Sequence, residues 1–253
     1  MQNKPSALAG KTVLVTGAAR RIGAEIARDL HAAGMNVILH YGRSAAAADA
    51  LRQELEQQRS NSVATCQADL LDLQAIDALS RSAAEAFGQL DALVNNASTF
   101  YPTPVGDTLA HHWDDLVGTN LKAPYFLIQA LAAPLRETQG SIVNIVDIHA
   151  ERPLKEHPVY CAAKAGLAML TRSLARELAP EVRVNAVAPG AILWPESGST
   201  ESADVRTEIL NRIPLQRTGA PSDIARTVHF LIAEAQYVTG QIIPVDGGRS
   251  LGH

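Results

Sequence analysis

The sequence predicts an α/β fold: a single domain built on one doubly wound sheet of about seven parallel strands, with helices on both faces. Three observations predict it. Short apolar, partly β-branched runs alternate with amphipathic segments from one end of the chain to the other. The 253 residues, 47% hydrophobic and 19% charged, are enough for one sizeable core. A glycine-bearing turn follows the first strand directly, which a (β/α)8 barrel, the structural alternative, gives no reason for.

The elements follow in order. Strand Thr12–Thr16 leads into a helix whose Ile22, Ile26 and Leu30 recur every fourth residue. Strand Asn36–Tyr41, helix Ala45–Arg59, strand Ser62–Asp69, helix Leu73–Phe87 and strand Ala92–Ala97 continue the alternation without a linker. A long helical stretch is expected from about His111 to Arg136, then strand Ser141–Val146. Helix Val159–Leu178 carries Leu167, Leu170, Leu174 and Leu178 on one face. Strand Arg183–Ala188 precedes the turn Pro189-Gly190. After the polar stretch Glu196–Ala203 come short helices near Val205–Arg212 and Ser222–Glu234. A last strand, Gln241–Val245, closes on Gly247-Gly248.

Composition narrows the partners. With a formal net charge of -4 and no basic cluster longer than Arg20-Arg21, the chain has no stripe for nucleic acid. Met1–Gly10 lacks an apolar signal core, and no run approaches the roughly 18 apolar residues of a membrane span. The expectation is a cytoplasmic protein acting on a small molecule, without a membrane partner. Cys66 and Cys161 lack metal-ligand spacing, so no metal is expected.

The first βα turn reads Thr16-Gly17-Ala18-Ala19-Arg20-Arg21-Ile22-Gly23, glycines placed where a strand must turn into a helix with free N–H groups. This is a Rossmann-like phosphate cradle, with Gly17, Arg21 and Ile22 as cofactor contacts. Its middle glycine is replaced by Arg21. The second strand ends in Tyr41-Gly42-Arg43-Ser44, with no carboxylate for a free ribose 2′-hydroxyl. Arg21, Arg43 and Ser44 suit a 2′-phosphate instead, so the expected cofactor is NADPH. Asp69-Leu70 ends the third strand near the adenine edge, and Asn96-Ala97 ends the fourth. Asn96 is either a cofactor contact or a sheet-edge structural residue.

Tyr160 and Lys164 stand four apart at the start of a strongly periodic helix, so both project from one face. An ammonium beside a phenol favours the phenolate and lowers the tyrosine pKa toward working pH, as a general acid requires.

In order along the chain, Gly17-x-x-x-Arg21-x-Gly23, Asn95-Asn96-Ala97, Asn120, Tyr160-x-x-x-Lys164, Pro189-Gly190 and Val245-Asp246-Gly247-Gly248 resemble the short-chain dehydrogenases/reductases. The resemblance implies that Asn120 helps hold a proton-relay water, that Lys164 binds the nicotinamide ribose and that Pro189 and Gly190 lie by the nicotinamide. Most members place serine thirteen residues before the tyrosine, where it polarises a ketone; here that residue is Asp147. A carboxylate repels a developing alkoxide but suits a ring nitrogen that must be protonated, and a partly buried aspartate of raised pKa can deliver that proton. Asp147, Arg21, the Tyr-Gly-Arg-Ser ending and Ser98-Thr99-Phe100-Tyr101-Pro102 together are similar to the pteridine reductases. That resemblance implies that Phe100 stacks on a pterin ring and that Ser98 touches cofactor or substrate. It implies hydride transfer to a C=N bond of a dihydropterin, an oxidised pterin or dihydrofolate, with Asp147 and Tyr160 supplying the proton. It also implies a homotetramer and a substrate lid over residues 191–215, where Trp194 either walls the pocket or anchors the loop. The C-terminal Ser250–His253 is a candidate to reach a neighbouring subunit. His111, His112, His149 and His157 read as solvated or loop residues. Two alternatives stay open: a ketoreductase of the same fold, and a non-catalytic NADP(H) sensor.

Overall fold

A computed structural model describes residues 7–192 and 203–252. Seven strands form one parallel sheet: β1 (Thr12–Val15), β2 (Asn36–Tyr41), β3 (Val63–Gln67), β4 (Ala92–Asn95), β5 (Ser141–Ile145), β6 (Arg183–Pro189) and β7 (Ile242–Val245). Their order is β3-β2-β1-β4-β5-β6-β7. The winding direction reverses between β1 and β4, where Val13 pairs with Val37 on one side and Ala92 on the other. In open sheets of this kind the crevice beyond the carboxyl ends of the strands at such a reversal is the ligand-binding place.

The helices are α1 (Arg21–Ala32), α2 (Ala45–Gln58), α3 (Leu73–Glu85), α4 (Ala110–Val117), α5 (Ala123–Glu137), α6 (Pro158–Glu177), α7 (Ala203–Asn211) and α8 (Pro221–Ala233). Side chains alternate along a strand, so Val13 and Val15 face one layer, packing with Leu30 of α1, Leu55 of α2 and Leu231 of α8. Leu14 faces the other, with Leu79 of α3, Leu131 of α5 and Ala175 of α6. Both faces are covered, which explains why the central strands read as unbroken apolar runs.

With one exception the expected elements are present, with ends moved by one or two residues. The stretch expected as one helix from His111 to Arg136 is instead α4, a π-helical turn over Gly118–Lys122, and α5. The π turn carries the fully buried Asn120, whose side-chain hydrogen bonds help offset the altered ladder. Apolar periodicity runs through such a turn without a visible break.

Two sets of polar contacts fix the frame beneath the site, the first of them fully buried. Asn95 donates to Asn144 Oδ1 at 2.9 Å, and Asn144 donates to Thr171 Oγ1 at 2.9 Å, tying β4 and β5 to α6. Arg183 donates to the carbonyls of Leu231, Ile232 and Ala235 at 2.7, 3.0 and 3.0 Å, satisfying the end of α8. Residues 193–202, which include Trp194 and part of the expected lid, lie outside the described residues, as does His253. Among the described residues no helix is long and apolar enough to cross a membrane.

Candidate active site

A cleft of about 910 Å³ opens beyond the ends of β1 to β4. It is lined by Gly17, Arg21, Ile22, Arg43, Asp69, Leu70, Asn96, Ala97 and Ser98, so most of the expected cofactor contacts share one surface. Ser44 lies at the N-cap of α2 rather than on that lining, and its hydroxyl makes no capping bond. Pro189 and Gly190 lie at the end of β6, outside the lining.

Backbone contact dictates the turn. At Gly17, φ is +61° and a Cβ would stand 2.9 Å from Ala97 Cα. A Cβ on Gly23 would stand 2.3 Å from the Gly17 carbonyl and 2.5 Å from Asn96 Nδ2. Between them Arg21 holds φ +54°, the left-handed region that makes glycine the usual residue there. Thr16 Oγ1 accepts from the amides of Asn96 and Ala97 at 2.9 and 3.0 Å, and Asn96 Nδ2 donates to the carbonyls of Thr16 and Gly17 at 2.9 and 3.1 Å. Asn96 therefore does the sheet-edge structural work while its residue still lines the cleft.

His40 is a further support that sequence reasoning left unassigned. Gly17 N donates to its Nδ1 at 3.2 Å, and Nε2 lies 3.2 Å from the Ala68 carbonyl, which assigns the proton to Nε2. Burial pushes its pKa down, so the neutral ring joins three strand ends. The signal was an imidazole inside an otherwise apolar strand. The N-terminus of α1 has no side-chain cap and no acidic residue in its first turn, while Arg20, Arg21 and Arg43 line the cleft. Exposed amides, a helix dipole and three guanidinium groups fit the phosphates of a dinucleotide. Asp69 turns one carboxylate oxygen to Leu71 N at 3.0 Å.

Beyond the cleft, Asp147, Tyr160, Lys164, Ser98 and Asn120 converge. Asp147 follows β5 and Tyr160 lies in the first turn of α6, and the Tyr160 hydroxyl donates to Asp147 Oδ2 at 2.7 Å. The other carboxylate oxygen accepts from His149 N at 2.9 Å. Lys164, almost fully buried, donates to the Ile145 carbonyl at 2.9 Å and stands 5.8 Å from the Tyr160 ring. Burial lowers its pKa to about 8, against the opposing pull of Asp147. Ser98 donates to Asn120 Oδ1 at 2.6 Å, and Asn120 Nδ2 donates to the carbonyls of Thr99 and Leu116, each at 2.9 Å. Asn120 thus holds the Ser98–Thr99 segment through its oxygen and one amide hydrogen, while the other hydrogen goes to the Leu116 carbonyl one turn back.

The expectation that Lys164 lowers the Tyr160 pKa is corrected. Burial, then the charge of Asp147 and the hydrogen bond to it, push the phenol well above its ordinary value, and only a Ser98 hydrogen bond opposes them. The carboxylate sits at hydrogen-bond distance and the ammonium does not, so the nearer negative charge dominates. The resting site stores a proton on Tyr160 and aims it at Asp147.

Phe100 is 54% exposed, stacks on His157 at 4.6 Å with a 12° interplanar angle, and meets Tyr160 edge-on at 4.8 Å. His157, read as a solvated or loop residue, lies at the N-cap of α6 and is a wall of this aromatic corner; its position three residues before Tyr160 was the available signal. Arg249, also unassigned by the sequence, is half-buried in the turn after β7, where burial lowers its pKa and the nearby Asp147 charge opposes that. Its neighbour Ser250 lines a small cavity of about 80 Å³ together with Asp147, Glu151 and Arg172.

Comparison with known proteins bears on this arrangement. A family profile described as enoyl-(acyl carrier protein) reductase matches residues 17–250. The chain belongs to the short-chain dehydrogenase/reductase family. It is 41% identical to a pteridine reductase 1 from Leishmania tarentolae, over 94% of this chain and 96% of that one. It is 39% identical to the 3-oxoacyl-(acyl-carrier-protein) reductase FabG of Staphylococcus aureus, over 94% and 97%. A 3-oxoacyl-(acyl-carrier-protein) reductase of Synechocystis is 36% identical over 96% and 98%. As a member of the short-chain family the protein is an oxidoreductase, similar both to a pteridine reductase and to 3-oxoacyl-(acyl-carrier-protein) reductases.

Proposed function

We propose that this short-chain reductase is an NADPH-dependent pteridine reductase acting on a dihydropterin or oxidised pterin, with dihydrofolate among its substrates. The observation that carries the reading is the Tyr160 hydroxyl at 2.7 Å from Asp147, with Phe100 edge-on to the same ring. Where a ketone needs a hydroxyl to polarise its oxygen, the site presents a carboxylate, which suits a protonatable ring nitrogen. The half-exposed Phe100 offers a face on which a flat heterocycle stacks.

Gly17, Arg21, Ile22, Arg43, Ser44, Asp69, Leu70, Asn96, Ala97, Ser98, Tyr160, Lys164, Pro189 and Gly190 would hold NADPH, which would supply a hydride for the C=N carbon. Arg21, Arg43 and Ser44 select the 2′-phosphate. The buried Lys164 ammonium holds the ribose side of the site and stays fixed through the Ile145 carbonyl. Tyr160 keeps its proton in the resting site because its phenol is pushed up; as the hydride arrives, the ring nitrogen next to the reduced carbon takes its proton from the Asp147–Tyr160 pair, and solvent returns one to the pair. One hydride and one proton balance the reduction of one C=N bond. Asn120 and Ser98 keep Phe100 and Tyr160 in register for this transfer, and ordering of this kind is worth several kcal/mol of barrier. The active form is proposed as a cytoplasmic homotetramer.

A second reading, a ketoreductase, is favoured by the similarity to FabG at 39% identity. Replacement of Asp147 separates the two. Asp147→Ala abolishes pterin reduction if the carboxylate handles the proton; unchanged pterin turnover removes that role. Asp147→Ser raises ketone turnover only where the pocket accepts a ketone. Binding of NADPH that never leads to its oxidation by any substrate would favour a sensor.

A further inference from the structure

The ring of Phe100 makes no hydrogen bond of its own, so its placement depends on how the backbone on either side is held. On the preceding side Asn120 holds the Thr99 carbonyl at 2.9 Å. On the following side Tyr101 donates its hydroxyl to Asp115 Oδ2 at 2.9 Å, with the His112 carbonyl a second acceptor at 3.3 Å. Asp115 belongs to α4 and lines the 910 Å³ cleft together with Ser98 and Thr99. The Tyr101 ring packs against the buried cluster of Leu116, Val159, Tyr160 and Cys161. Burial and then Asp115 push its phenol up to about 12, so it remains a donor across the working pH range. None of the chemistry above uses Tyr101 or Asp115, yet their hydrogen bond joins the aromatic corner to the wall of the dinucleotide cleft.

We infer that Tyr101 is a positioning residue for the substrate slot: its hydrogen bond to Asp115 keeps Phe100 edge-on to Tyr160 and backed by His157, so that its ring stays fixed as a face for a flat substrate. The inference rests on the pterin reading. A side chain with one backbone anchor lost samples more orientations, and substrate must then bear the cost of ordering it. That cost falls on substrate binding and leaves the proton path from Tyr160 to Asp147 in place.

The test uses the full chain, with dihydrobiopterin varied at saturating NADPH and NADPH binding followed by fluorescence. Tyr101→Phe is expected to raise the pterin KM about fivefold, the size of one lost hydrogen bond, with a smaller fall in kcat. Asp115→Ala is expected to match it, and the double variant to be no worse than either single one, because both remove the same contact. Asp115→Asn keeps an acceptor and should restore most of the wild-type KM. Additive losses, a fall confined to kcat, or loss of NADPH binding in Tyr101→Phe would each overturn the inference. A wild-type protein that reduces a ketone and no pterin would overturn the pterin reading instead, and the same KM split read with that ketone then decides the role of Tyr101.

Discussion

The two halves of the site are specified by different physics. At the β1 turn the determinants are distances between backbone atoms: Gly17 against Ala97, Gly23 against the Gly17 carbonyl, Asn96 across to Thr16. At the β5 and α6 end they are charges at hydrogen-bond range: Asp147 on Tyr160, and a desolvated Lys164 beneath. Steric sites fail abruptly when an atom is added, whereas electrostatic sites shift with pH and with neighbouring charge. The difference predicts which variants lose cofactor and which lose chemistry.

The largest effect is expected at the charged end. Asp147→Ala should cut pterin kcat by about a thousandfold, within the range of a lost general acid, and stopped-flow traces should still show NADPH binding. Loss of NADPH binding in that variant would erase the distinction between the halves. Next comes the steric end, where Gly23→Ala puts a methyl group 2.3 Å from the Gly17 carbonyl. Its NADPH dissociation constant should rise by about a hundredfold, roughly what overpacking of a few kcal/mol produces, measured by titration calorimetry. Arg43→Ala should cost about tenfold in NADPH affinity and little in NADH affinity, narrowing the preference without touching the turn. Equal losses for the two dinucleotides would show that Arg43 does not read the 2′-phosphate.

A subtler contrast lies in pH. Lys164, with its pKa lowered to about 8, loses its charge as pH rises through that value, so kcat/KM should decline on the alkaline side. Tyr160, pushed well above its ordinary value, adds no limb there. Asp147→Asn removes the charge that favours the ammonium, and the NADPH-binding profile should shift toward lower pH. A profile flat through about 8 would mean that the Lys164 charge is not required.

The fold was largely legible because it follows from local patterns: apolar runs for buried strands, four-residue periodicity for helices, and glycine after β1. Of the converging residues, Tyr160 and Lys164 were legible from spacing and chemistry, and Asp147 from the resemblance to the short-chain family, whose usual serine it replaces. What escaped depends on contacts between distant segments. The π turn at Gly118–Lys122 leaves apolar periodicity intact, and only the hydrogen bond from Asn120 to the Thr99 carbonyl reveals its use. His157 became part of the site because Phe100, far away in sequence, lies on it. The direction of the Tyr160 shift was misjudged because spacing shows the ammonium on the same helix but not the carboxylate at 2.7 Å.

The central claim is that the carboxylate at position 147 serves proton delivery to a ring nitrogen. The direct measurement is NADPH oxidation by the wild-type protein against dihydrobiopterin, biopterin, dihydrofolate, a 3-oxoacyl thioester and simple ketones, with Asp147→Ala and Asp147→Ser in parallel. Turnover confined to the pterins and lost in both variants is the predicted result. Turnover confined to the thioester or the ketones, and retained or raised in Asp147→Ser, would contradict it.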